Sequence, residues 1–201
     1  MYVKICGLRE AVHVDVAVDA GASAVGVVMN RTSSRRATDD EAAAVVDAAA
    51  GRVDTVLVVN DMPAADAAVT ARRLGFDVLQ LHGSAYGPAE FAAALAVVPR
   101  VWRATSLTPA TSLDVGALGE ELLLLDSPRP GSGEQWDSSV LATGAPLGQW
   151  LLAGGLAPDN VADAVRSVQP WGVDVSSGVE SAPGRKEAAL VSAFVRAALT
   201  A

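Results

Sequence analysis

Short apolar runs recur along the chain, and most are separated by an alanine-rich stretch with helical spacing. The runs predict strands at Tyr2–Cys6, Ala24–Val28, Thr55–Val59, Val78–Leu81, Val101–Arg103, Leu122–Leu125, Trp150–Ala153 and Val173–Val175. Each is short and rich in Val, Leu or Ile, the continuous apolar pattern of strands buried on both faces of a parallel sheet. Between them, "REAVHVDVAVDAGA", "TDDEAAAVVDAAAG", "MPAADAAVTARRLG" and "GPAEFAAALAVVP" predict helices. Glycines in "DAGA", "AAGR" and "RLGF" stand where helices end, and "TDDE" reads as a capped start with acids in its first turn. "TSLTPATSLDVGALGEE" predicts only a short or irregular fifth helix.

This alternation predicts an α/β fold, and the strand count fits a closed (β/α)8 TIM barrel of eight parallel strands. The alternative is an open doubly wound sheet, but "CGLREA" after the first strand lacks the glycine fingerprint of its nucleotide-binding form. A length of 201 residues fits one domain, 1–201.

The net charge of −8 argues against nucleic acid and anionic membrane as partners, so an anionic small molecule would need a local cluster of positive charge. The single cysteine cannot form an internal disulfide, no Cys/His cluster has metal-ligand spacing, and a reducing, cytoplasmic setting is the default. The N-terminus has no apolar core of signal-peptide length, and no apolar run approaches the ~18 residues of a membrane span.

In a barrel, the site lies at the C-terminal strand ends and in the loops that follow. Strand alternation puts Lys4 with Cys6, Gln80 with His82, Leu124 with Asp126 and Asp174 with Ser176, each pair on one face. Cys6 can be an inert buried hydrophobe or a group that does chemistry at a strand end before Gly7. His82 can be a surface histidine at a helix start. Asp126, closing a buried strand, can cap a loop or work in a site. Asp174 lies in an apolar run, where an unpaired carboxylate is costly. In a closed barrel the last strand pairs with the first, so Lys4 is its expected ion-pair partner beneath the mouth. The turns "LAGGLAPDNV" and "VSSGVES" place small residues after the last two strands, where backbone N–H groups and a helix start suit an anion.

The segments "VKICGL", "GASAVGVV", the "SSRR" loop, "VLVVN", "LQLHG", "LLLLDS", "LAGGLAPDNV" and "VDVSSGVESAPGRK" follow one another over nearly the whole chain. Together they resemble the phosphoribosylanthranilate isomerases of tryptophan biosynthesis. The resemblance implies a (β/α)8 barrel and an Amadori rearrangement of N-(5-phosphoribosyl)anthranilate, with no cofactor or metal. It implies Cys6 as general base, Asp126 as general acid and Arg35 as the arginine that meets the anthranilate carboxylate. It implies a phosphate cradle around Gly154, Gly155, Ser177 and Gly178, with Lys4, His82 and Asp174 in the substrate site. Asp126 must then hold a proton when substrate is bound, and Cys6 must lose one. Lys4 would favour the Cys6 thiolate unless Asp174 neutralises it. Family members are monomers or homodimers.

Two loops depart from the family pattern. The glycine-rich loop after the sixth strand reads "PGSGEQWDS", with Pro130, Ser132, Trp136 and Ser138 at family Gly, Thr, Phe and Trp positions. The loop after the second strand has Ser34 where proline is common, and Arg31 and Arg36 lie close to Arg35. These changes bear on substrate fit more than on reaction type. Competing readings are a bifunctional isomerase of histidine and tryptophan synthesis, whose first strand ends in aspartate, and a non-catalytic phosphosugar-binding barrel.

Overall fold

The computed structural model describes residues 1–106, 111–126, 141 and 144–201. Eight parallel strands close into a barrel in chain order. They are β1 (Tyr2–Cys6), β2 (Ala24–Val28), β3 (Asp54–Val59), β4 (Val78–His82), β5 (Val101–Ser106), β6 (Leu122–Asp126), β7 (Trp150–Leu152) and β8 (Gly172–Val175). Closure brings β8 against β1, with Lys4 paired in register to Asp174. Among the described residues six α-helices surround the strands: α1 (Ala11–Ala20), α2 (Asp39–Ala49), α3 (Ala64–Leu74), α4 (Pro88–Leu95), α5 (Val161–Val168) and α6 (Ala188–Leu199). A hairpin of β9 (Glu180–Ala182) and β10 (Arg185–Lys186) follows β8.

The helices form where local chemistry favours them. Thr38 caps α2 through a full capping box: its Oγ1 accepts from the Glu41 N–H at 3.2 Å, and Glu41 Oε2 accepts from the Thr38 N–H at 2.8 Å. Gly21 and Gly75 end α1 and α3 in the left-handed conformation, as expected. At α2 the expectation misses by one residue, because the left-handed cap is Ala50 and Gly51 follows it. Between β5 and β6, no helix forms among the described residues 111–121.

Two apolar layers hold the barrel. Alanines 64, 67, 68 and 71 of α3 are buried and bring that helix close to the strands. Inside, Val56, Val58, Trp102, Leu122, Leu124 and Leu151 fill the lumen. The strand N-termini are sealed by a polar floor. There Tyr2 Oη donates to Asp54 Oδ2 at 2.7 Å and Arg100 donates to both Asp54 and Glu121. Ionisable groups at this end serve stability, since barrel chemistry belongs to the opposite end. No helix among the described residues is long and apolar enough to cross a membrane.

Candidate active site

Cys6 ends β1 with its side chain toward the lumen, 6% exposed. Gly26 of β2 lies beside it: a Cβ there would stand 3.0 Å from Cys6 Sγ and 3.2 Å from Lys4 Cε. The chain turns away at Gly7, whose φ is +78°, a conformation that suits glycine. A side chain at Gly7 would also strike Arg35 Cδ at 2.9 Å and Ser176 Oγ at 3.1 Å. The strand end is therefore left bare of its own neighbours' side chains and faces residues from β2 and β8 loops.

Lys4 lies two residues deeper, fully buried, and donates to Asp174 Oδ1 at 2.7 Å. This is the ion pair expected from barrel closure. Burial pulls the Lys4 pKa down, but Asp174 and the Cys6 sulfur outweigh it and the net shift is upward. Lys4 does favour the Cys6 thiolate, as expected, but burial and Asp174 outweigh it. Burial raises its pKa most, Lys4 and Lys186 lower it, Asp174 raises it, and the net result is upward. Burial, helped by Asp174, therefore leaves Cys6 a thiol.

His82 and Asp126 end β4 and β6, with His82 Nε2 3.8 Å from Asp126 Oδ2. Burial, and the charge of Lys4, hold His82 below the ordinary imidazole pKa against the opposing pull of Asp174, so it is neutral near pH 7. Beneath it Gln80, 2% exposed, keeps a side-chain carbonyl oxygen with no hydrogen-bond partner among the described residues. A buried acceptor of this kind is uncommon away from functional sites.

The loops after β7 and β8 meet as a single cradle. Gly154 and Gly155 follow β7 with φ of +90° and +66°. Asn160 pins this loop, accepting from Ala157 N at 2.8 Å and donating to the Gly155 carbonyl at 2.9 Å. Gly178 lies so close that an added Cβ would be 1.9 Å from Leu156 O. No partner for the N–H groups of Gly154, Gly155, Ser177 and Gly178 is found among the described residues. Ser177–Val179 forms one turn of 3-10 helix, which orients such N–H groups together.

Of the three neighbouring arginines, only Arg35 crosses to the mouth, where it packs over Gly7 and grips Glu180 with Nε and Nη2 at 2.7 and 2.9 Å. Arg31 and Arg36 instead line a separate surface cavity of about 310 Å³ with Met29, Met62, Asp61 and Arg73. Two residues at the mouth escaped the reading of the sequence as site residues: Glu180 and Lys186. Lys186 Nζ donates to Glu180 Oε1 at 2.8 Å and to Ser176 O at 2.8 Å. The available signal was two ionisable residues six apart flanking Pro-Gly, a spacing that a hairpin brings face to face. The divergent Pro130–Ser138 loop lies outside the described residues.

A closed parallel barrel with a thiol, a carboxyl, an arginine and a backbone N–H cradle at one mouth belongs to the (β/α)8-barrel class. The model of the N-(5'-phosphoribosyl)anthranilate (PRA) isomerase family matches residues 3–197. The chain is 41% identical over 201 residues to N-(5'-phosphoribosyl)anthranilate isomerase of Geobacter sulfurreducens, covering 98% of this chain and 97% of that protein. The crystal structure of TrpF from Jonesia denitrificans superposes with a TM-score of 0.91 at 53% identity, covering 99% of this chain and 97% of that one. A phosphoribosyl anthranilate isomerase in complex with reduced 1-(o-carboxyphenylamino)-1-deoxyribulose 5-phosphate has a TM-score of 0.83 at 26% identity, with both chains fully covered. The chain belongs to the phosphoribosylanthranilate isomerase family.

Proposed function

We propose that this chain converts N-(5-phosphoribosyl)anthranilate to 1-(2-carboxyphenylamino)-1-deoxyribulose 5-phosphate, a cytoplasmic step of tryptophan biosynthesis. What carries the reading is the convergence of Cys6 and Asp126 on one barrel mouth in a chain with this full-length family match. The phosphate would rest on the N–H groups of Gly154, Gly155, Ser177 and Gly178. Arg35 would take the anthranilate carboxylate; Arg31 and Arg36 point to a different cavity.

Asp126 donates a proton to the furanose ring oxygen as the C1–O bond breaks and the anthranilate nitrogen forms a double bond to C1. The C2 proton of this Schiff base is acidified. Cys6 removes it, electrons move to nitrogen, and the enolamine tautomerises to the ketone. Because burial holds Cys6 as a thiol, its own proton must first leave, and groups brought by the substrate offer the route. Neutral His82 beside Asp126 can hydrogen-bond that carboxyl or a substrate hydroxyl without drawing its proton away. Lys4 and Asp174 hold the floor of the site.

The test follows the fluorescence of phosphoribosylanthranilate generated in situ. Rapid loss of emission is expected with the wild type and near-background loss with Cys6→Ala and Asp126→Asn. Inert wild-type protein, under conditions where a known isomerase works, would leave the phosphosugar-binding reading in its place.

A further inference from the structure

Behind the mouth lies an ion cluster that the acid–base chemistry does not require. The side chains of Glu180, Lys186 and Arg35 are 4%, 2% and 17% exposed. Two cations thus share one carboxylate in a place where an uncompensated charge is costly. The three come from two segments far apart in sequence. Arg35 belongs to the loop after β2, while Glu180 and Lys186 face each other across the β9–β10 hairpin.

The geometry of the grip is specific. Arg35 uses Nε and Nη2 on the two oxygens of Glu180, a side-on bidentate pair. A guanidinium has five N–H bonds, so three take no part in this grip: two lie on the Nη1–Nη2 edge and the third, on Nη1, faces the side of the stem. The plane of that edge is fixed by Glu180, and the stem is fixed by packing over Gly7. The hairpin is itself held in place. Glu180 Oε2 accepts from Gly184 N at 3.2 Å, Arg9 Nη2 donates to Gly184 O at 3.2 Å, and an added Cβ at Gly184 would be 2.5 Å from Ser34 O. Lys186 completes the arrangement by donating to the Ser176 carbonyl, while Ser176 Oγ donates to the Cys6 carbonyl at 3.2 Å.

Electrostatics separates this from a simple tether. An Arg–Glu pair alone is neutral and would draw no further anion. With Lys186 the cluster keeps one positive charge, and the free edge of Arg35 is where a second carboxylate can be received. We propose that Glu180 is a positioning residue that fixes Arg35 for the aryl carboxylate of the substrate, and that Lys186 supplies the charge that makes this contact attractive. The pair thereby sets the preference for a carboxylated aryl group. The inference rests on the isomerase reading, with Arg35 as the carboxylate contact.

The experiment measures binding, so it does not depend on turnover. The probes are reduced product, 1-(2-carboxyphenylamino)-1-deoxyribitol 5-phosphate, and its phenyl counterpart without the carboxylate. Their Kd ratio is the carboxylate preference of each protein. Lys186→Met and Glu180→Ala are expected to lower that ratio by about 10- to 100-fold, the worth of a hydrogen bond to a charged group. The Kd of the phenyl probe should change by no more than about twofold, since that ligand makes no such contact. Lys186→Arg should restore most of the preference, and Glu180→Gln, which keeps the shape, should lie between. An unchanged or larger ratio in Lys186→Met and Glu180→Ala, or equal loss of both probes, would overturn the proposal and leave the cluster a structural tether. Turnover of phosphoribosylanthranilate by the wild type is measured alongside. Its absence would refute the isomerase reading, while normal turnover with an unmoved ratio would refute the positioning role alone.

Discussion

Lys4 Nζ donates to Asp174 Oδ1 across 2.7 Å at the seam where β1 meets β8. The lysine is fully buried and the aspartate side chain 11% exposed. The pair closes the barrel chemically as well as geometrically. It also puts a nearly neutral unit, and not a bare cation, below the Cys6 thiol.

Removing one partner should therefore cost far more than removing both. Lys4→Met strands a buried carboxylate and is expected to destabilise the fold by about 3–5 kcal/mol. Lys4→Met combined with Asp174→Leu should recover most of that loss. Urea denaturation of the two variants beside wild type measures the difference.

The raised pKa of Cys6 has a sign that can be read in stability. Between the ordinary cysteine value of about 8.5 and its higher folded value, the native state holds a proton that the unfolded chain has lost. Stability from this group is full below the unfolded value and falls as pH rises above it. Lys4, also shifted upward, adds to the same alkaline decline at higher pH. Denaturation curves from pH 7 to 10 should show the fall for wild type and a shallower one for Cys6→Ala. Alkylation of Cys6 by iodoacetamide should have its midpoint above that of free cysteine.

Gly178 is where the loops after β7 and β8 touch, the proposed phosphate cradle. With Leu156 O only 1.9 Å from an added Cβ, Gly178→Ala must push the loops apart. An overpacking cost of about 1–3 kcal/mol is expected, together with weaker competitive inhibition by inorganic phosphate. Thermal melts and phosphate inhibition constants test the two effects separately.

Gln80 holds a carbonyl oxygen that has no hydrogen-bond partner among the described residues. Replacing a buried unsatisfied acceptor with a thioether of similar length removes its desolvation cost. Gln80→Met is expected to stabilise the protein by about 1 kcal/mol, read from the urea midpoint at constant m-value.

Much of this was legible in the chain itself. Apolar runs located all eight strands to within three residues at each end, because a strand buried on both faces has no other way to read. Cys6, Asp126 and His82 were findable from their place at strand ends. The α2 cap was misplaced by one because Ala50 adopts the left-handed conformation that glycine would adopt more easily. Glu180 and Lys186 were passed over because charged residues in a Pro-Gly loop ordinarily face solvent. Their burial depends on Arg35, 145 positions away from Glu180 in the chain.

Periodicity, turn chemistry and strand-end position are local properties, written in consecutive side chains; they located the eight strands and marked Cys6, His82 and Asp126 as candidates, while the family resemblance implied which is base and which is acid. What only the tertiary structure decided was charge. The Lys4–Asp174 pair was already expected from closure, but the hairpin carried Glu180 and Lys186 to Arg35, and burial left Cys6 a thiol. Protonation follows from desolvation and from partners distant in sequence, and neither exists until the chain has folded.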